Sequence, residues 1–454
     1  MSPRKRQKLT SRGVALAALC ELADRREPLG SILEPLLRTH GIRGRDAGLV
    51  NSLVKGVLRR QDYLDWLASR FARHPLNKMK ARTLIALRLG IYQLVCMDRI
   101  PARAAVNETV AAFKAARQPA WLVRVVNGIL RSVARERKQL PSPTEAVRKH
   151  PDLLNHPSWL IRRWQHHFGN ERCRRICLGN NEEVPLILRV NTRLTDTGGL
   201  QARFAAAEMT TLPGQYSELA LILPGYHGEI RNLPGYDEGL FVVQDEAAQL
   251  AAMLLGPFRP GEEVLDGCAG LGGKTTHLAA MLPAAAGLTA VEPDQRRYRL
   301  LGENLKRLQI KGVETVHTGL KGFAAGTDRR FTAIFLDVPC SGTGVIRRRP
   351  DIRWNRREGD LAALRKRQQR LLRTAAALLA PGGRLVYATC SLEPEENEEM
   401  VEEFLAENPD FRIRDARHHL PAAAAELVTD RGYFQPLPDQ GLDGFFAALL
   451  LRDR

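Results

Sequence analysis

Two cysteines stand where the edge of a sheet would present them. Pro339-Cys340 follows the apolar run AIFLD in AIFLDVPCSGTGVIRRRPDIRW, and Thr389-Cys390 closes the apolar run in GRLVYATCSLEPEEN. Each run reads as a strand, and open α/β sheets keep their chemistry at the carboxyl ends of parallel strands. One thiol after Asp337-Val338-Pro339 and another before Ser391 suit covalent attack followed by assisted release. The plainer reading makes both small buried hydrophobes, the usual fate of a reduced cysteine. The two motif contexts favour chemistry.

Methyl transfer to carbon 5 of a pyrimidine needs both groups, because that carbon is too weak a nucleophile to attack a methyl donor unaided. A thiolate adding to ring carbon 6 makes carbon 5 enamine-like. A base must later remove the carbon-5 proton so that the thiol can leave. The segments LDVPCSGTGVIRR, LVYATCSLEPEENE and DGFFAALLLR, the last containing Asp443-Gly444-Phe445-Phe446, resemble the RsmB/NOP-type RNA cytosine-C5 methyltransferases. The resemblance spans nearly the whole chain. It implies that Cys390 is the nucleophile, that Cys340 assists release, and that Asp337 contacts the cytosine ring nitrogen and amino group. DNA cytosine methyltransferases use a Pro-Cys nucleophile, which leaves Cys340 open as the alternative.

Upstream, EEVLDGCAGLGGKTTHLAA runs from an apolar strand through a glycine-rich turn into a helix starting near Lys274. Glycines 267, 270, 272 and 273 let backbone approach a ligand, and a helix start exposes unpaired N–H groups. The resemblance implies that Cys268, Ala269, Gly270, Leu271, Gly272, Gly273 and Lys274 hold the methionine part of S-adenosylmethionine, with Asp337 nearby. The family usually has Cys-Ala-Ala-Pro-Gly-Gly-Lys there, and Gly270-Leu271 replaces its Ala-Pro. Glu292 ends the next strand, GLTAVE, and is placed to accept the ribose hydroxyls of a nucleoside cofactor. In VETVHTGLKGF, Leu320 follows Gly319 where relatives carry an aspartate that accepts from the adenine amino group. A leucine cannot accept that bond, so modest cofactor affinity is expected, tightened by Leu320→Asp. The loop also nearly fits a phosphate-binding P-loop, with Cys268 in place of its first glycine and AIFLD as an acidic strand. A P-loop NTPase is therefore the remote alternative, although it has no use for paired cysteine motifs.

Charge divides the chain. Residues 1–150 carry 30 Lys and Arg against 11 Asp and Glu, so the whole net charge of +18 lies there and the remainder is near neutral. Such asymmetry suits a nucleic-acid surface, and no apolar stretch approaches the roughly 18 residues of a membrane span. Apolar residues recur at helical spacing in Val14-Ala15-Ala18-Leu19-Leu22, Leu49-Leu53-Val57 and Leu84-Leu87-Ile91-Leu94. NSLVKGVLRR, LIALRLGIYQLV and AAVNETVAAFKAARQPAWLVRVVNGILR resemble the NusB-type helical RNA-binding domain. A purely structural or protein-binding bundle is the alternative.

Three parts are expected: an all-α NusB-like domain over 1–140, a linker and small α+β insert over 141–235, and a Rossmann-like methyltransferase over 236–454. Prolines 141, 143 and 151 break the helical pattern in the linker, and methyltransferase strands are expected near 263, 288, 313, 333 and 385. His156, His166 and His167 read as surface groups. Arg347-Arg348-Arg349 and Trp354 read as a phosphate clamp beside the thiols, against a solvated turn with Trp354 packed inward. The start, MSPRKRQKLTSRGVALAALC, imitates a signal peptide, but Glu21 and Asp24 interrupt its apolar run on a helical repeat. Seven cysteines, an odd number, suit reduced thiols in a cytoplasmic protein. Cys173 and Cys177 lack zinc-type partners and read as core, so no metal is expected.

The reading that joins these features is an S-adenosylmethionine-dependent methyltransferase acting on ribosomal RNA, small-subunit RNA by resemblance, and working as a monomer. Its alternatives are a NusB-like RNA-binding factor with an inactive methyltransferase part, and an enzyme acting on transfer RNA.

Overall fold

The protein is described here by a computed structural model of residues 8–454. The basic head of the signal-like start, residues 1–7, lies outside the described residues. The described residues form two compact units, one of 8–182 with 346–357 and the other of 183–345 with 358–454.

The first unit is helical. Helices Ser11–Arg25, Gly44–Arg59, Ala81–Cys96, Ala102–Ala115 and Ala120–Glu136 share one apolar core. The helical spacing sets which residues enter it: Leu122, Val126, Ile129, Leu130 and Val133 are buried on one stripe of the last helix. Thr10 caps the first helix, its side chain accepting from the Gly13 N–H. The proline-rich linker does not simply break the pattern. Pro143 opens a short helix, Pro143–Lys149, capped reciprocally by Ser142 and Glu145, because proline's missing N–H costs nothing in a first turn. Cys173 and Cys177 are buried, as expected of core residues. His156 is buried too, against the surface expectation. Its ring packs on Trp164 and its Nδ1 pairs with the Leu154 carbonyl, while burial holds its pKa well below the ordinary imidazole value.

Residues 346–357 belong to this helical unit. Arg353 is fully buried, donating to the carbonyls of Asn155 (2.8 Å), Asn180 (2.9 Å) and Arg59 (3.3 Å) and to Oδ1 of Asn181 (2.6 Å). Trp354 donates to the Leu58 carbonyl, and Asp351 accepts from the Leu29 N–H. The phosphate-clamp reading therefore fails for Arg347, which is buried, and for Trp354, which packs on the helical core. The alternative holds for Trp354, which packs inward, and for Arg349, which is exposed, but not for the buried Arg347. The guanidinium plugs satisfy backbone carbonyls that would otherwise be unpaired.

The second unit contains two sheets. In the smaller, strands β1 (Leu186–Val190), β2 (Leu212–Pro213), β3 (Ala220–Leu223) and β4 (Phe241–Val243) run in the order β2-β3-β1-β4, all antiparallel. Helix Thr197–Ala205 lays Leu200 and Phe204 into its core. The larger sheet comprises β5 (Glu263–Asp266), β6 (Gly287–Val291), β7 (Val313–Val316), β8 (Phe331–Asp337), β9 (Leu379–Thr389), β10 (Phe411–Arg414) and β11 (Phe446–Arg452). Its order is β10-β11-β9-β8-β5-β6-β7. The five strands expected from sequence are its parallel part, and β11 and β10 add an antiparallel edge. This is the doubly wound, Rossmann-like sheet, with its strand order reversing at β5.

Candidate active site

β8 and β9 are parallel neighbours with Asp337 opposite Ala388, so the loops that leave them start side by side. That pairing brings together two thiols 50 residues apart: Cys340 Sγ and Cys390 Sγ lie 3.3 Å from each other, both partly exposed. The loops are also stitched directly, the Gly344 N–H donating to the Cys390 carbonyl. Gly344 and Gly444 touch so closely that a Cβ on Gly344 would lie 2.1 Å from the Gly444 carbonyl oxygen. Only glycine fits there, and the contact places the Asp443-Gly444-Phe445-Phe446 segment against the cysteine loops.

The surroundings of Cys340 disfavour its thiolate. Its hydrogen bond with Cys390, burial, and the negative charges of Cys390, Glu396 and Asp337 all push the Cys340 thiol well above the ordinary cysteine value. The Cys340 thiol thus holds its proton more tightly than an ordinary cysteine does.

Asp337 ends β8, and its Oδ2 lies 2.5 Å from Lys274 Nζ. Burial alone would lower the pKa of that ammonium. The charge and hydrogen bond of Asp337, with Cys390 behind them, outweigh it and the net direction is up. Lys274 also sits 5.4 Å from the centre of the Phe445 ring. The loop after β5 thereby reaches the cysteine site.

That loop has the form its glycines require. Gly270 and Gly272 have φ of +58° and +87°, so Gly270 suits its position even though it replaces the family's usual residue. A Cβ at Gly270 or Gly273 would meet nothing within 4 Å, leaving the loop open on that side. Leu271 points outward at 50 % exposure. Cys268 donates its N–H to Asp266, and Ala269 donates to the Val291 carbonyl of β6. Glu292 accepts from the N–H groups of Gly270 and Asp294, both at 2.8 Å. A carboxylate has about four acceptor positions, so two remain for a ribose. An open glycine loop starting a helix without a side-chain cap, an acid after the second strand and a cation at the loop's end fit S-adenosylmethionine.

Leu320 does not face open space. It is 2 % exposed in an apolar cluster with Leu265, Val291 and Leu336, its methyls close beside Gly267.

Two residues that the motif reading missed also shape the site. Arg189, buried on β1, donates to Gln244 Oε1 (2.8 Å), the Gly273 carbonyl (3.1 Å) and Thr276 Oγ1 (3.0 Å), fixing the first turn of the helix that follows the glycine loop. Burial lowers its guanidinium to about 9. Glu396, fully buried, collects hydrogen bonds from both cysteine loops. The signal for each was a charged residue inside an apolar strand or directly after a site motif, LILRVN and SLEPEEN.

Such a sheet, with a glycine loop after β5 and reactive groups at the ends of β8 and β9, defines a Rossmann-like methyltransferase attached to a helical domain. Family models match in the same order: NusB over 9–135, the RsmF/B-like ferredoxin-like domain over 156–227, and 16S rRNA methyltransferase RsmB/F over 252–451. The ribosomal RNA small subunit methyltransferase B of Klebsiella pneumoniae is 34 % identical over 451 residues, covering 99 % of this chain and 100 % of its own. That of Pseudomonas putida is 38 % identical over 416 residues, 90 % and 91 % of the two chains. A methyltransferase homologue from Pyrococcus horikoshii superposes with TM-score 0.56 at 28 % identity, covering 66 % of this chain and 96 % of its own. The chain belongs to the RsmB/F family of S-adenosylmethionine-dependent methyltransferases, which removes the P-loop NTPase reading. Among the described residues no helix is long and apolar enough to cross a membrane, and no His/Cys/Asp/Glu group could hold a metal ion.

Proposed function

We propose that this chain methylates carbon 5 of a cytosine in small-subunit ribosomal RNA through a covalent adduct on Cys390. The observation that carries this reading is the 3.3 Å separation of two thiols that follow parallel neighbouring strands. The names of the relatives supply the RNA class.

Cys390, as thiolate, bonds to carbon 6, and the electron pair of the 5,6 double bond moves toward carbon 5. Asp337, paired with Lys274, meets the ring nitrogen and amino group and steadies the charge that develops there. When bound, S-adenosylmethionine supplies the methyl group. It would be held by Cys268, Ala269, Gly270, Leu271, Gly272, Gly273 and Lys274 on its methionine side, by Glu292 at the ribose, and by contacts near Asp337. Release then needs two proton movements. The carbon-5 proton passes to Cys340 as Cys340 gives its own to the departing Cys390 sulfur, the carbon–sulfur bond breaks, and the double bond is restored. A retired methyltransferase part would have no reason to keep this pair. Residues 1–140 would engage RNA, 141–235 line its path and 236–454 carry out the chemistry, in a cytoplasmic monomer without a metal.

Denaturing electrophoresis of each variant with RNA and S-adenosylmethionine tests the roles. Cys390→Ala should abolish methyl transfer and adduct, whereas Cys340→Ala should accumulate the adduct. An adduct that persists in Cys390→Ala and vanishes in Cys340→Ala would reverse them. Bisulfite sequencing of RNA from a deletion strain would then name the cytosine.

A further inference from the structure

Glu396 has no part in the bond-making just described, yet it is a fully enclosed charged group beside the thiols. Its side chain is fully buried and receives only neutral donors. Oε1 accepts from the Ser341 N–H (2.9 Å) and from Gln368 Nε2 (2.8 Å). Oε2 accepts from Ser341 Oγ and Ser391 Oγ, each at 2.5 Å. Ser341 directly follows Cys340, and Ser391 directly follows Cys390. Gln368 also donates to the carbonyl of Pro339, the residue before Cys340. The segment carrying Glu396 is pinned in turn. Tyr387 donates its hydroxyl to the Glu396 carbonyl, and Asn397 accepts from Thr389 and donates to the Ser391 carbonyl.

A carboxylate without a cationic partner is costly to bury, and neutral residues could fill the same space. We propose that Glu396 is a positioning residue for the two-thiol reaction: it clamps the Cys340 and Cys390 loops into one register and keeps a negative charge beside Cys340 until release. This inference rests on the two-cysteine reading above. Cys340 is faced by Cys390, Asp337 and Glu396, with Tyr387 on β9 and Lys274 behind Asp337. Glu396 is the group among them that bonds to both loops.

Glu396→Gln is nearly isosteric, and the two serine hydroxyls can rotate to accept from its amide, so the fold is kept while the charge is lost. In full-length enzyme with saturating RNA and S-adenosylmethionine, kcat should fall by about tenfold or more with KM for RNA changed by less than about twofold. The alkaline limb of kcat against pH should move to lower pH, because the charge that holds the Cys340 proton has gone. Glu396→Asp should restore that limb in part, and the thermal midpoint of all forms should be recorded alongside. An unchanged pH limb in Glu396→Gln, or losses in kcat that merely follow losses in thermal midpoint, would overturn the proposal. Cys390→Ala runs in parallel: if it still forms the adduct, the two-cysteine reading itself has failed, whatever Glu396 does.

Discussion

The Lys274 ammonium and the Asp337 carboxylate meet at 2.5 Å, joining the end of the glycine loop to the end of β8. One ion pair therefore belongs to both halves of the site, the loop that fits the methyl donor and the strand that leads to Cys340. Each side chain keeps about a fifth of its surface exposed, so the pair is accessible from solution.

Asp337→Asn would remove the main influence that holds the Lys274 ammonium up against burial, leaving only the charges of Cys390 and Asp266 on that side. Methyl transfer should fall by about 100-fold or more, the scale of losing one charge stabiliser in an active site. Single-turnover methylation at saturating RNA measures this. A loss below about threefold would remove Asp337 from the reaction.

Arg353→Ala should destabilise the helical unit by about 3–5 kcal/mol, since it strands the several buried carbonyls it bonds. Arg353→Lys should rescue little, because an ammonium cannot reproduce the planar fork. Denaturant titration gives both values. A loss under about 1 kcal/mol would mean that those carbonyls find other donors.

Burial pushes the Asp266 carboxyl up to about 6, despite hydrogen bonds from Thr275 and the Cys268 N–H that act the other way. Its folded value lies above its unfolded value, so the folded chain holds the proton more tightly. The stabilisation is complete below about pH 4 and is lost as pH rises through about 6. Relative to wild type, Asp266→Asn should therefore gain roughly 3 kcal/mol between pH 4 and pH 7. Denaturation of both forms across that range checks it, and a pH-independent difference would show that the carboxyl is not perturbed.

Leu320→Asp puts a carboxylate among Leu265, Val291 and Leu336. The expectation from sequence was tighter S-adenosylmethionine binding. Its packing leads instead to a loss of roughly 2–5 kcal/mol in stability, the cost of removing a buried leucine. Calorimetric titration should show equal or weaker cofactor affinity. Tighter binding would mean that the side chain can turn out of the core to face adenine.

Local pattern carried much of this molecule. Strand-length apolar runs ending in Asp337 and Thr389 placed both cysteines at a sheet edge, and a strand–glycine–helix sequence placed the cofactor loop, because those arrangements depend on residues within one turn or one strand. Helical spacing likewise marked the buried stripes of the first unit. Contacts between distant segments were beyond such patterns. The 3.3 Å thiol pair depends on β8 lying beside β9, and the Gly344–Gly444 contact depends on β11 returning next to β9. Arg347 and Trp354 looked like an RNA clamp because basic and aromatic residues outside regular structure are ordinarily solvated, yet Arg353 anchors that segment on carbonyls from Arg59, Asn155 and Asn180. Glu396 and Arg189 are similar cases. A charged side chain is buried only where donors or acceptors from several separate segments converge on it, and that convergence exists only once the chain has packed.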